Sequence, residues 1–168
     1  MTIQNFSIYT GKGYEGDLCD SESGYIKQTG ILLSGTLGFG KAVQRSGTDK
    51  GISVGSAEIG ATSRTNVHGI SLREYNHEAG TRPSTGTDFL YRAAESVSVL
   101  EQGFIYLKLT GATAITRGTA LKVVEATGLF TNISTVDGVS TCLNVYAVEA
   151  AVTGEIFKAR IDKTLRTS

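Results

Sequence analysis

Tryptophan is absent from the 168 residues, proline occurs once, and cysteine and histidine occur twice each. These scarcities narrow the chemistry. Cys19 and Cys142 belong to no CxxC or Cys/His cluster, so a metal site is not expected, spacing argues for no disulfide, and two buried reduced thiols are the reading. His68 and His77 stand nine apart without HExxH or paired-ligand spacing, and are read as surface-loop residues. Net charge is missing too: 16 basic and 16 acidic side chains cancel, so nothing in the overall charge draws the chain to nucleic acid or an anionic membrane. The opening MTIQNFSIYTGKG has no basic n-region and no apolar run of signal length, and no window approaches the ~20 apolar residues of a membrane span. A soluble chain made in the cytoplasm is expected, in which the sequons at Asn5 and Asn132 carry no weight. No repeat of roughly 20–50 residues and no convincing helix-period segment is found.

What is abundant is glycine, 21 residues, which with scarce proline suits many short strands joined by glycine turns. The length suits one domain with a substantial core. The clearest pattern lies between Ser96 and Glu125, which reads as three strands. In the middle one, from Phe104 to Thr110, Ile105, Leu107 and Leu109 alternate with Tyr106, Lys108 and Thr110. Val97, Val99, Ile105, Leu107, Leu109, Leu121 and Val123 are expected in the core. Tyr106, Lys108 and Lys122 are expected outside, where they could meet a neighbouring subunit.

Taken in order, residues 1–29 are polar and glycine-punctuated, with apolar residues too sparse for a core, and read as an N-terminal arm. Residues 30–162 form the β domain. Ile31 to Leu33, Phe39 to Val43 and Ile52 to Val54 are candidate strands, residues 57–72 a weaker pair, and residues 73–88 a long surface loop with the only proline. Residues 89–95 fit either a helical turn or a strand entering a turn. Further strands are expected from Leu129 to Ile133, across Val139 to Val152 as a central strand, and from Glu155 to Ile161, where Phe157, Ala159 and Ile161 oppose Lys158 and Arg160. Residues 163–168 are a tail. The fold class is all-β, a small β-barrel or sandwich, β-tulip-like, with an arm and one long loop.

Candidate chemistry is thin. Gly35 to Lys41 has the glycine and lysine spacing of a phosphate-binding loop, but Ala42 stands where magnesium requires Ser or Thr, and a turn at Ser46-Gly47 arrives too early for the helix that would cradle phosphate. Asp17, Asp20 and Glu22 alternate without the glycine and terminal glutamate of a calcium loop. No GxSxG elbow occurs. Tyr14, Tyr25, Tyr75 and Tyr91 could stack a ligand if exposed but share no motif, which keeps a carbohydrate- or receptor-binding module as the alternative reading.

Three groups of residues, in order, resemble a known family: Gly13-Tyr14-Glu15-Gly16-Asp17-Leu18, Gly38-Phe39-Gly40-Lys41-Ala42-Val43, and Val97 to Leu107 (VSVLEQGFIYL), followed by Gly118-Thr119-Ala120-Leu121 and Thr127-Gly128-Leu129-Phe130. They are similar to the tailed-phage structural cement, or head decoration, proteins, over about residues 10–162. The family has a glycine turn before the VSVL strand, where this chain has Ala93-Ala94-Glu95. The resemblance implies a β-rich, often trimeric, non-enzymatic protein without cofactor on the outer surface of a phage head. Its partners would be the major capsid protein and its own copies, as a trimer or else a dimer, with no nucleic acid and no membrane. Candidate contacts are Tyr9, Tyr14 and Asp17 of the arm, Tyr75 and Arg82 of the loop, and Tyr106, Lys108 and Lys122 of the body.

Overall fold

The computed structural model describes residues 13–19, 24–46, 50–55, 64–74, 90–111, 113–133 and 138–163. Twelve strands run through them: β1 (Ile26–Leu32), β2 (Thr36–Gly38), β3 (Ala42–Arg45), β4 (Gly51–Val54), β5 (Arg64–Thr65), β6 (Gly69–Ser71), β7 (Leu90–Arg92), β8 (Ser96–Lys108), β9 (Ala120–Val124), β10 (Phe130–Thr131), β11 (Val139–Ala147) and β12 (Ile156–Ile161). No helix occurs among the described residues, so the class is all-β.

Strand pairing closes two rings that share β8. In the first, β1 lies parallel to β4, then β4 pairs β3, β3 pairs β6 and β6 pairs β8, all antiparallel, and β8 returns to β1. In the second, β8, β12, β11, β9 and β10 follow one another in antiparallel order. A single bridge from Thr131 to Thr110 brings that ladder back to the end of β8, where Thr110 N–H donates to the Phe130 carbonyl at 3.0 Å. The short β5 adds to β11 in parallel, and β2 pairs β7 in a separate two-stranded ribbon. Such curling is compatible with the expected barrel and leaves few exposed sheet edges.

Residues 96–108 form one strand of 13 residues where two strands are expected from the sequence. Gln102-Gly103 looks like a turn in sequence, but the strand continues through it with an irregularity: the register against β1 shifts between Leu100 and Gln102, Gly103 adopts φ 130°, a conformation glycine favours, and Gln102 pairs Ile26 while Gly103 pairs Ile161. The strand therefore passes from one ring into the other. Before the glycine, Val97 and Val99 pack with Leu32, Val43, Ile52 and Tyr91, while Leu100 faces the second core. Beyond it, Ile105, Leu107 and Leu109 enter that second core with Leu121, Val123, Phe130, Val145 and Phe157. All seven expected core residues are buried, as are Phe157, Ala159 and Ile161. Each large apolar side chain buried in this way contributes roughly 1.5–3 kcal/mol, so β8 is the stave on which both cores depend.

Within residues 89–95, described from Leu90 on, a strand enters a turn: β7 ends at Arg92, and Ala94 adopts φ 69°. That is the left-handed region glycine usually supplies. Alanine thus makes the turn before VSVL that the family makes with glycine. Tyr91, a stacking candidate only if exposed, is fully buried. Its ring meets Phe39 edge-on with centroids 5.4 Å apart, and its hydroxyl donates to the Leu72 carbonyl at 2.7 Å. Burial between β7 and the first ring gives an aromatic both an apolar body and a polar partner, which position in a loop-flanking sequence does not reveal.

Candidate interaction surface

Residues 13–19 lie across the outside of β8 as a strap. Gly16 N–H donates to the Tyr106 carbonyl at 2.8 Å, Tyr106 N–H to the Asp17 carbonyl at 2.9 Å, and Cys19 N–H to the Phe104 carbonyl at 3.2 Å. On its other side Arg73 N–H donates to the Gly16 carbonyl at 2.9 Å. Lys41 closes the latch with its ammonium 2.5 Å from Glu15 Oε1. Glycine makes this approach possible: at Gly40, φ 65°, a Cβ would stand 2.6 Å from Glu15 Cγ, and at Gly16, φ 88°, it would stand 2.7 Å from Phe39 Cβ.

Three sequence-predicted contacts converge here. Tyr14 is 67% exposed, with its ring under the Arg73 guanidinium at 4.6 Å. Asp17 accepts the Tyr14 N–H at 2.8 Å through Oδ2, and its Oδ1 lies 4.0 Å from Arg73 Nε. Tyr106 is half-buried beneath the strap, so close that a Cβ on Gly13 would lie 2.5 Å from its ring. Burial, and secondarily Cys19, raises its phenol pKa. Tyr106 is thus outward-facing relative to the sheet, as the register requires, yet covered by its own chain. Lys122 is also engaged, donating to the Ile133 carbonyl at 2.8 Å. Lys108 at the end of β8 is exposed. Tyr9, Tyr75 and Arg82 lie outside the described residues, as do His77, Asp20 and Glu22.

The strap joins the three groups of residues quoted above. Tyr14, Glu15 and Gly16 come from the first, Phe39, Gly40 and Lys41 from the second, and Tyr106 from the third. What resembled a nucleotide loop at Gly35 to Lys41 is β2 and a turn at Phe39-Gly40 leading into β3, and its lysine is spent on Glu15. Sequence reasoning missed Glu15, Lys41 and Arg73 as a unit. Their one signal was that glycine-rich groups at 13–16 and 38–40 each carried a charged neighbour of opposite sign.

Other chemistry is sparse among the described residues. No group of three His, Cys, Asp or Glu is placed to hold a metal, and no helix is long and apolar enough to cross a membrane. Both cysteines are buried and outside any disulfide, and burial pushes Cys142 up to about 12, which keeps it protonated and unreactive near neutrality. Beyond Tyr14, the large apolar residues exposed are Tyr25, Ile31, Leu33, Leu143 and Val152.

Comparison with known proteins agrees with this architecture. A chain in the structure titled "The capsid of Myoviridae Phage XM1" superimposes with a TM-score of 0.62 at 14% identity, covering 98% of this chain and 100% of that one. At that identity the likeness is one of fold. No curated protein sequence matches. A family model described as "Structural cement protein (E217 gp24/Pam3 gp6)" matches residues 3–162, and the chain therefore belongs to the structural cement protein family.

Proposed function

We propose that this protein is a non-enzymatic virion component that sits on the outer surface of a phage head, bridges neighbouring major capsid protein subunits and stabilises the shell. The supporting observation is the family match across residues 3–162, and the groups of residues that resemble the family meet in the strap. A rigid β body with a firmly tied strap suits this work. The strap ties residues 13–19 to the body, so a contact made by residues 1–12 would act from a defined point. Several weak contacts suffice, because once one is made the others act at an effective concentration that raises overall binding by ~10²–10⁴. Assembly in the host cytoplasm as a trimer, with Tyr14, Lys108 and the 73–88 loop as contacts, completes the reading.

The strap also dictates how to test the arm. Deleting through Asp20 would strip Tyr106 and free Lys41, confusing folding with binding. Deleting residues 2–12 leaves Glu15, Gly16 and Asp17 in place. That truncated chain is expected to melt like the full chain and to co-sediment with undecorated heads at least about tenfold more weakly. Undiminished co-sedimentation would remove the arm from the contact set.

A further inference from the structure

The first ring has an open end away from the strap. There Gln28, Thr29 and Gly30 of β1, Arg45 of β3, Lys50, Gly51 and Ile52 at the start of β4, His68 ahead of β6 and Val99 of β8 line a pocket of about 260 Å³. Its floor is apolar and tight: a Cβ on Gly30 would lie 2.7 Å from Ile52 Cγ2. Its rim is cationic, and among the described residues no acidic side chain lines it. The buried carboxylate beside His68, Glu101, is already engaged, with Oε1 3.3 Å from His68 Nε2 and Oε2 3.3 Å from Lys163 Nζ. Among the described residues Arg45 makes only long hydrogen bonds, to His68 Nε2 at 3.5 Å and Gln28 Oε1 at 3.4 Å. Among the described residues neither Arg45 nor Lys50 has a carboxylate partner.

We infer that this open end is a second docking point, which takes an acidic side chain, Asp or Glu, from a capsid subunit; the inference rests on the head-binding role proposed above. Three features fix the partner's chemistry. The pocket is smaller than the ~300–1,000 Å³ of small-molecule sites and suits one side chain. The guanidinium of Arg45 offers planar paired donors for a carboxylate, with Lys50 beside it as a point charge. Among the described residues neither cation has a carboxylate partner, so an incoming carboxylate meets attraction without having to displace one of these.

The test compares the full chain with Arg45→Gln/Lys50→Gln and Arg45→Glu/Lys50→Glu for binding to undecorated heads at low and raised salt. Both side chains are exposed, and unchanged melting temperatures check that the variants fold. The neutral pair is expected to bind about tenfold more weakly at low salt and to approach the full chain as salt screens the contact, and the reversed pair to bind more weakly still. Equal affinity and equal salt dependence would overturn the inference while leaving head binding intact. If the variants instead abolish self-association measured by sedimentation equilibrium, the occupant is a second copy and the capsid assignment is overturned. If the unmodified chain does not bind heads, the underlying role fails and the inference falls with it.

Discussion

A Gly55→Ala chain is expected to lose at least about 3 kcal/mol of stability, more than most single substitutions cost. Gly55 follows β4 at φ 90°, and a Cβ there would stand 1.6 Å from the Glu125 carbonyl oxygen. No side chain can rotate out of the way, because the obstacle is backbone. The contact is where the two rings are pressed together: Gly55 N–H donates to the Ala42 carbonyl at 2.8 Å, and Ala42 N–H donates to the Gly128 carbonyl at 2.8 Å. Gly118 is the matched control, since it too has positive φ, 84°, but has nothing within 4 Å of its would-be Cβ. Gly118→Ala should cost only the backbone term, ~1–2 kcal/mol. Urea unfolding of both variants decides the matter. If Gly55→Ala proves no worse than Gly118→Ala, the rings are not seated on each other as described.

Removing the Tyr91 ring should be comparably severe. Tyr91→Ala is expected to cost about 3–5 kcal/mol, as for other buried aromatics, because it empties the space between Phe39 and the first ring. Tyr91→Phe keeps the ring and removes only the hydroxyl that meets the Leu72 carbonyl, for about 1 kcal/mol. The phenol also carries a pH signature. Burial, with Glu74 next in importance, raises its pKa well above the usual 10.0. A raised acid favours the folded state only while it is protonated. Its contribution is complete below about pH 10 and is lost as pH climbs beyond that toward the folded value. Cys142 adds a similar loss between 9.0 and about 12. Alkaline melting curves should therefore slope down for the unmodified chain and less steeply for Tyr91→Phe. An indifferent Tyr91→Ala would contradict the burial of this ring. Its burial also withdraws Tyr91 from the aromatic set that a carbohydrate- or receptor-binding role would use.

Most of the architecture could be read before any coordinates. Period-two alternation placed Ile105, Leu107, Leu109, Leu121, Val123, Phe157, Ala159 and Ile161 correctly, because in a half-buried strand the side-chain period is fixed by the backbone. Local pattern could not show that the strand continues through Gln102-Gly103 with a register shift instead of turning back, since glycine serves either equally well. Nor could it show ring closure, which depends on β8 meeting β1 and β6 on one length and β12 on the next. The interaction surface was legible only in pieces. Tyr14, Asp17 and Tyr106 were identified separately, but the Glu15–Lys41 pair joins positions 26 residues apart through glycines whose purpose is close backbone approach. Ala94 shows the opposite case, where an unexpected residue keeps the expected turn at φ 69°.

The central claim, that this body cements a phage shell from outside, is tested most directly by cryo-electron microscopy of undecorated heads mixed with the full chain. The account predicts density of this two-ring fold on the outer surface, touching two or more adjacent major capsid protein subunits. Bare heads at saturating protein, or density confined to a single subunit, would contradict it.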